Sequence, residues 1–146
     1  MLQVEIITPE QTAFEGEVDS ITLPSAEGEL TILAHHMPLI TIIKAGSVLL
    51  RTQRKEQLFA ISKGVAEIEG TRVRLLTDTA DRAEQLDEEA IEKAREEAKR
   101  MMSETRHDTE GFAIASALLE RELARLNVVR RHRSRFSAGF SPSQAS

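Results

Sequence analysis

The stretch Val65-Ala66-Glu67-Ile68-Glu69-Gly70-Thr71-Arg72-Val73-Arg74-Leu75-Leu76, followed further on by Asp87-Glu88-Glu89-Ala90-Ile91-Glu92-Lys93-Ala94, contains the change of period that decides the fold. Val65–Ile68 and Val73–Leu76 are short apolar runs, rich in β-branched residues, on either side of Gly70. That is the pattern of strands joined by a tight turn. From Asp87 the apolar residues fall instead at Ala90, Ile91, Ala94, Ala98, Met101 and Met102, a narrow stripe at helical spacing. Asp87 is placed to cap that helix, and Glu88 and Glu89 then sit at the positive end of its dipole. Glu89–Lys93 and Glu96–Arg100 have the i,i+4 spacing that supports its exposed side.

Toward the N-terminus the strand pattern continues. Short apolar runs occur at Leu2–Ile7, Val18–Leu23, Leu30–Leu33, Leu39–Ile43, Ser47–Leu50 and Leu58–Ile61. Gly16, Gly28, Gly46 and Gly64 separate them where turns are needed, and Pro9, Pro24 and Pro38 fall at their margins, where a missing amide donor is tolerable. Many short strands with Gly-rich turns predict an antiparallel sandwich or barrel. Toward the C-terminus, Ser103–Gly111 is a polar break, and a second helix is predicted from about Phe112 to Val129, with Phe112, Ala115, Leu119, Leu123 and Leu126 on one face. The fold class is therefore α+β: a β-sandwich domain over 1–84, an antiparallel helical hairpin over 85–132 and a disordered tail over 133–146. Short helices with thin apolar stripes depend on packing, so the hairpin must lean on the sandwich, on a partner, or on each in turn.

Composition sets limits. The 146 residues are 40% hydrophobic and 29% charged, an ordinary globular balance, but only 3% aromatic with no Trp or Tyr, so the core must be aliphatic. Without Cys, disulfides and thiolate zinc sites are excluded. No run approaches the ~18 apolar residues of a membrane span. Met1-Leu2-Gln3-Val4-Glu5 lacks the basic flank and apolar stretch of a signal peptide. A soluble protein is expected, with any membrane association made through a partner. The net charge of −5 lies within 1–84, whereas 85–146 is balanced but segregated, acids crowding Glu84–Glu97 and six Arg lying between Arg121 and Arg135. Such segregation suggests a polarised contact surface, not bulk affinity for nucleic acid.

Catalytic motifs are missing. There is no phosphate-binding Gly-x-x-x-x-Gly-Lys loop, no Gly-x-Gly-x-x-Gly and no Gly-x-Ser-x-Gly. Of His35, His36, His107 and His132 only the first two are neighbours, and adjacent residues on an extended chain point to opposite sides. No metal site and no cofactor are expected. The acidic run 87–97 reads as a solvated helix face, and the basic run Arg130–Arg135 as either a soluble tail or a binder of phosphates or an acidic protein surface.

Several segments together resemble the epsilon subunit of F-type ATP synthases. Val4-Glu5-Ile6-Ile7-Thr8-Pro9-Glu10 with Phe14-Glu15-Gly16-Glu17-Val18 is similar to that family's opening. So are Glu27-Gly28-Glu29-Leu30-Thr31-Ile32-Leu33, His36-Met37-Pro38-Leu39 and Lys44-Ala45-Gly46. Leu75-Leu76-Thr77-Asp78-Thr79-Ala80 resembles the end of its sandwich, and Asp87, Ala113–Ala117 and Ala124-Arg125-Leu126-Asn127-Val128 match its two helices in position and type. The resemblance covers about residues 2–130. It implies a sandwich of about ten strands followed by a two-helix hairpin, in a non-catalytic subunit of the rotating central stalk. The implied partners are the gamma subunit, the c-ring and, through the hairpin, the alpha/beta catalytic head. The implied location is peripheral, on the cytoplasmic side of the bacterial inner membrane. The hairpin would restrain ATP hydrolysis.

Carried over by position, the resemblance assigns Glu29 and His36 to contact with the polar loops of the c-ring. It assigns Arg121 and Arg125, one helical turn apart, to an acidic loop of the catalytic beta subunit when the hairpin is extended. The plainer readings are residues that shape a turn, for the first pair, and a solvated helix face, for the second. Three departures stand out. The family's Pro-Gly before the histidine is Ala34-His35 here, and its Gly-Gly is Lys63-Gly64. Some members bind ATP through Ile/Leu-Asp-x-x-Arg-Ala; the window at Glu110-Gly111-Phe112-Ala113-Ile114-Ala115 lacks the Asp and the Arg, so no comparable site is expected. The competing readings are a β-sandwich module with an autoinhibitory hairpin in another assembly, and a small enzyme or basic-tailed RNA binder.

Overall fold

The computed structural model describes residues 1–53 and 55–139. Ten strands precede two helices: β1 Leu2–Ile7, β2 Thr12–Val18, β3 Ser20–Ser25, β4 Gly28–Leu33, β5 His36–Ile43, β6 Gly46–Thr52, β7 Lys55–Ile61, β8 Gly64–Gly70, β9 Arg72–Thr77 and β10 Ala80–Arg82. A single 3₁₀ turn over Ala83–Gln85 leads into α1 Glu88–Glu104 and α2 Thr109–Gly139.

The strands follow the order β10-β7-β6-β3-β5-β8-β9-β1-β2, with β4 paired to β3 off that path. Between β3 and β5 a single pair, Ser25 with Ile43, joins the ladder. The sheet folds there into two layers whose inner faces make the main core. Alternation chooses the inner face: Leu2, Val4 and Ile6 of β1 are fully buried while Gln3 and Glu5 between them are not. The opposing layer contributes Ile21, Leu23, Val48, Leu50, Phe59 and Ile61. Each such side chain gains about 1.5–3 kcal/mol by leaving water, so aliphatic content compensates for the few aromatics. Phe14 and Phe59 meet edge to face at 5.9 Å between ring centroids.

Pairing is antiparallel except at β1, which runs parallel to β9 from Gln3–Arg72 to Ile7–Leu76 and antiparallel to β2 on its other side. The antiparallel sandwich expected from sequence is found, with this one parallel pair inside it. Strands separated by most of the domain lie side by side, and no local signal specifies that pairing.

Two turns carry backbone constraints. His35 has φ +67°, so Ala34-His35 keeps a left-handed turn residue at the position the family fills with Gly. At Gly64 a Cβ would fall 2.0 Å from the Leu76 carbonyl oxygen, so this position admits only glycine while β8 and β9 stay together. Lys63 beside it has no positive φ.

Asp87 caps α1 as the sequence predicts, its Oδ1 accepting from the Glu89 amide at 3.1 Å. The two helices are antiparallel, since Arg130 near the end of α2 reaches Glu88 at the start of α1. α2 begins at Thr109 and continues beyond Val129 to Gly139, through the first part of the stretch expected to be disordered; 140–146 lie outside the described residues. The predicted apolar face of α2 is also corrected. Ala115, Ala124, Leu126 and Val128 are buried, whereas Phe112 and Leu123 remain exposed and Glu122 is buried in their place. The reason is that α2 is enclosed on two sides, by α1 and by β6 and β7. A one-sided stripe cannot describe such a helix. Val128 packs with Leu49, Leu58, Ala60 and Ala83 in a small cluster on the outer face of β6–β7, separate from the main core.

Candidate interaction site

The outer face of the other layer stays open. Across β5, β8, β9 and β1 the registers align Ile42 with Val65, Val65 with Leu76, and Leu76 with Ile7. The four side chains form an apolar row crossing the strands. Beside it runs a second row, Ile40, Glu67, Arg74 and Glu5, mostly charged. Ile40 and Ile42 are 74% and 65% exposed. The sequence counted Leu39–Ile43 as one apolar run and gave no sign that half of it faces out. A contiguous exposed apolar row with a polar border is what a protein–protein contact leaves uncovered in one isolated partner.

β4 forms a free edge among the described residues, pairing with β3 alone. Ile32 points to the core; Glu29, Thr31 and Leu33 point outward and are exposed. Glu29 pairs with Pro24 at the start of this edge, just after the turn at Gly28, which has φ +126°. His36 opens β5 opposite Gly70, beyond the turn that ends the edge. The two positions assigned to the c-ring therefore occupy opposite ends of β4, separated by about 13 Å of strand between Glu29 and Leu33 alone. They are not brought into one cluster.

Arg121 and Arg125 are engaged within the chain. Arg125 Nη2 lies 2.8 Å from Asp81 Oδ2 on β10, and its Nη1 lies 3.0 Å from Glu122 Oε1. Arg121 Nη2 meets the same Glu122 oxygen at 3.3 Å. The Glu122 side chain is 4% exposed. A carboxylate removed from water in this way requires its cationic partners. Sequence reasoning missed Asp81 and Glu122; the i,i+3 spacing of Glu122 and Arg125 was visible, but the tie to Asp81 spans 44 residues. A second group, Glu88 and Glu92 on α1 with Arg130 and Arg133 on α2, clasps the open end of the hairpin, opposite its connecting turn, Arg130 Nη2 lying 2.8 Å from Glu92. Arg131 donates to the Ser47 hydroxyl on β6.

Leu86-Asp87 at the start of α1 fits the first half of the Leu-Asp-x-x-Arg-Ala pattern better than the window at 110–115 does. Ala90 and Ile91 stand where that pattern has Arg and Ala, and Asp87 is already accepting the capping bond. Among the described residues no group of three or more His, Asp or Glu could hold a metal ion. Among the described residues, no helix is long and apolar enough to cross a membrane.

The architecture is a two-layer β-sandwich with an apolar face exposed on one layer and a helical hairpin packed on the other. Comparisons with known proteins agree on the family. Residues 1–83 match the family model described as the beta-sandwich domain of the ATP synthase Delta/Epsilon chain. The chain is 38% identical over 134 residues to the ATP synthase epsilon chain of Herpetosiphon aurantiacus, covering 92% of this chain and 98% of that one. It is 39% identical over 133 residues to the epsilon chain of Xanthomonas campestris pv. campestris, covering 90% and 94%. A chain in the cryo-EM structure of the Euglena gracilis mitochondrial ATP synthase shares the fold, with TM-score 0.70, 24% identity, and coverage of 82% of this chain and 75% of that one. The protein belongs to the ATP synthase epsilon chain family.

Proposed function

We propose that this chain is a non-catalytic central-stalk subunit that couples the c-ring to the catalytic head through contacts alone. The gamma subunit covers the open face of β5, β8, β9 and β1. The β4 edge, from Glu29 to the turn before His36, meets the polar loops of the c-ring: an outward carboxylate, and an imidazole beyond the turn, suit a polar, basic rim. The chain thereby lies on the cytoplasmic side of the bacterial inner membrane, held there by its partners. The hairpin restrains ATP hydrolysis when it leaves the sandwich and extends, freeing Arg121 and Arg125 for an acidic loop of the beta subunit.

The observation that carries this reading is the row Ile42–Val65–Leu76–Ile7, apolar and partly exposed on the layer that the hairpin does not cover. It is tested by titrating the gamma subunit of the same organism with the full chain and with Val65→Asp. A desolvated carboxylate at the centre of an apolar contact is expected to weaken binding by a hundredfold or so. Unchanged affinity in Val65→Asp would sink the reading.

A further inference from the structure

The apolar row does not end at β5. Ile42, its last member, also lines a groove of about 610 Å³ between the β5–β6 corner and the middle of α2. On the sheet side the groove has Ile42, Ile43 and Lys44, with Lys63 beside them; on the helix side it has Leu123 and Ala124, with Glu120 at its margin. Leu123 is 43% exposed between buried Glu122 and Ala124, and Ile42 is more exposed still, next to buried Ile43. The apolar row Ile7, Leu76, Val65 and Ile42 thus reaches a groove whose opposite wall includes Leu123.

We infer that the docked hairpin completes the partner-binding surface: the groove takes an apolar segment flanked by carboxylates, supplied by the same stalk partner that covers the sheet face. This rests on the reading above that such a partner exists. Size favours it, because a stable interface needs about 800 Å² from each partner, and four partly exposed side chains on one sheet face supply only part of that. Charge selects the occupant. Lys44 and Lys63 stand on the sheet side of the groove and Glu120 opposite, so the net field favours an acidic segment. The consequence is coupling. A partner that touches Ile42 and Leu123 together binds more tightly while the hairpin is docked, and by reciprocity it holds the hairpin down.

The test titrates the gamma subunit of the same organism with full-length variants while hydrogen exchange reports whether α2 stays docked. Leu123→Asp is expected to weaken binding about tenfold with the α2 amides still protected. Lys44→Glu is expected to weaken it about threefold, and Glu120→Lys to strengthen it by a similar factor. Should Leu123→Asp release the hairpin, Lys44→Glu and Glu120→Lys decide, since both change only charge at the groove margin. If these variants bind within twofold of the parent while Val65→Asp does not bind, the inference is overturned and the sheet-face reading survives. Tighter binding by Lys44→Glu rejects the acidic occupant. Normal binding by Val65→Asp removes the foundation for both.

Discussion

Arg125 of α2 and Asp81 of β10 are joined at 2.8 Å across the boundary between hairpin and sandwich, and Arg125 simultaneously satisfies the buried Glu122. One guanidinium thus serves the body, the arm and the only buried acid among the described residues. The same Arg125 is the residue that the family resemblance assigns to a contact with the catalytic head. Both uses cannot be made at once, so leaving the sandwich costs this pair before any new contact is gained.

Arg125→Ala is expected to loosen the docked hairpin. Removing one partner of a buried pair costs about 3–5 kcal/mol; Arg125 and Asp81 remain partly exposed and Arg121 still faces Glu122, so about 1–3 kcal/mol is the expected loss. Hydrogen exchange in α2 should accelerate accordingly, with the sheet amides unaffected. Equal protection of α2 in variant and parent would show that the small cluster around Val128 suffices to hold it.

His35→Gly is expected to stabilise the sandwich. A non-glycine residue at φ +67° costs about 1–2 kcal/mol, and glycine returns part of it through greater freedom in the unfolded chain. A net gain of about 0.5–1 kcal/mol should appear as a higher urea midpoint at unchanged slope.

Gly64→Ala should do the opposite. The added methyl would stand 2.0 Å from the Leu76 carbonyl oxygen, so β8 must part from β9 or shift its register. A loss of about 2–4 kcal/mol is expected, in the range of severe overpacking. Because Val65 and Leu76 flank this contact, gamma binding should fall along with the denaturation midpoint.

Ending the chain after residue 84 is expected to leave a folded sandwich, since the main core contains no residue of either helix. Circular dichroism should keep its β signature, with a modest loss of stability as Leu49, Leu58 and Ala60 lose Val128. In the assembled synthase the same truncation should raise ATP hydrolysis if the hairpin restrains it. No change in hydrolysis would confine the hairpin to the docked role.

Much of the strand half was legible because burial on one face imposes a period of two, and Leu2, Val4 and Ile6 obey it. The cap at Asp87 was legible for a similar reason: it depends on an amide two residues away. The outward-facing row was not. Ile40 and Ile42 carry the same chemistry as Ile43, and their side of the sheet is set by a ladder to β8 that begins with an irregularity between His36 and Leu39. Glu29 and His36 were found only through the family resemblance, and nothing in their spacing revealed that they mark two ends of one edge. The latch of Asp81, Glu122 and Arg125 was hidden because Glu122 and Arg125 read as a solvated helix face until a neighbour covers them, and Asp81 lies 44 residues from Arg125 on β10.

Local sequence determined that strands come first and helices second, and where most of them start, because these choices turn on period, capping and turn chemistry within a few residues. Tertiary structure alone decided that β1 lies parallel to β9, that Glu122 is buried, and that Ile42 belongs to both the open sheet face and the hairpin groove. Those outcomes arise from contacts between segments tens of residues apart, whose free energy appears only when both surfaces have formed.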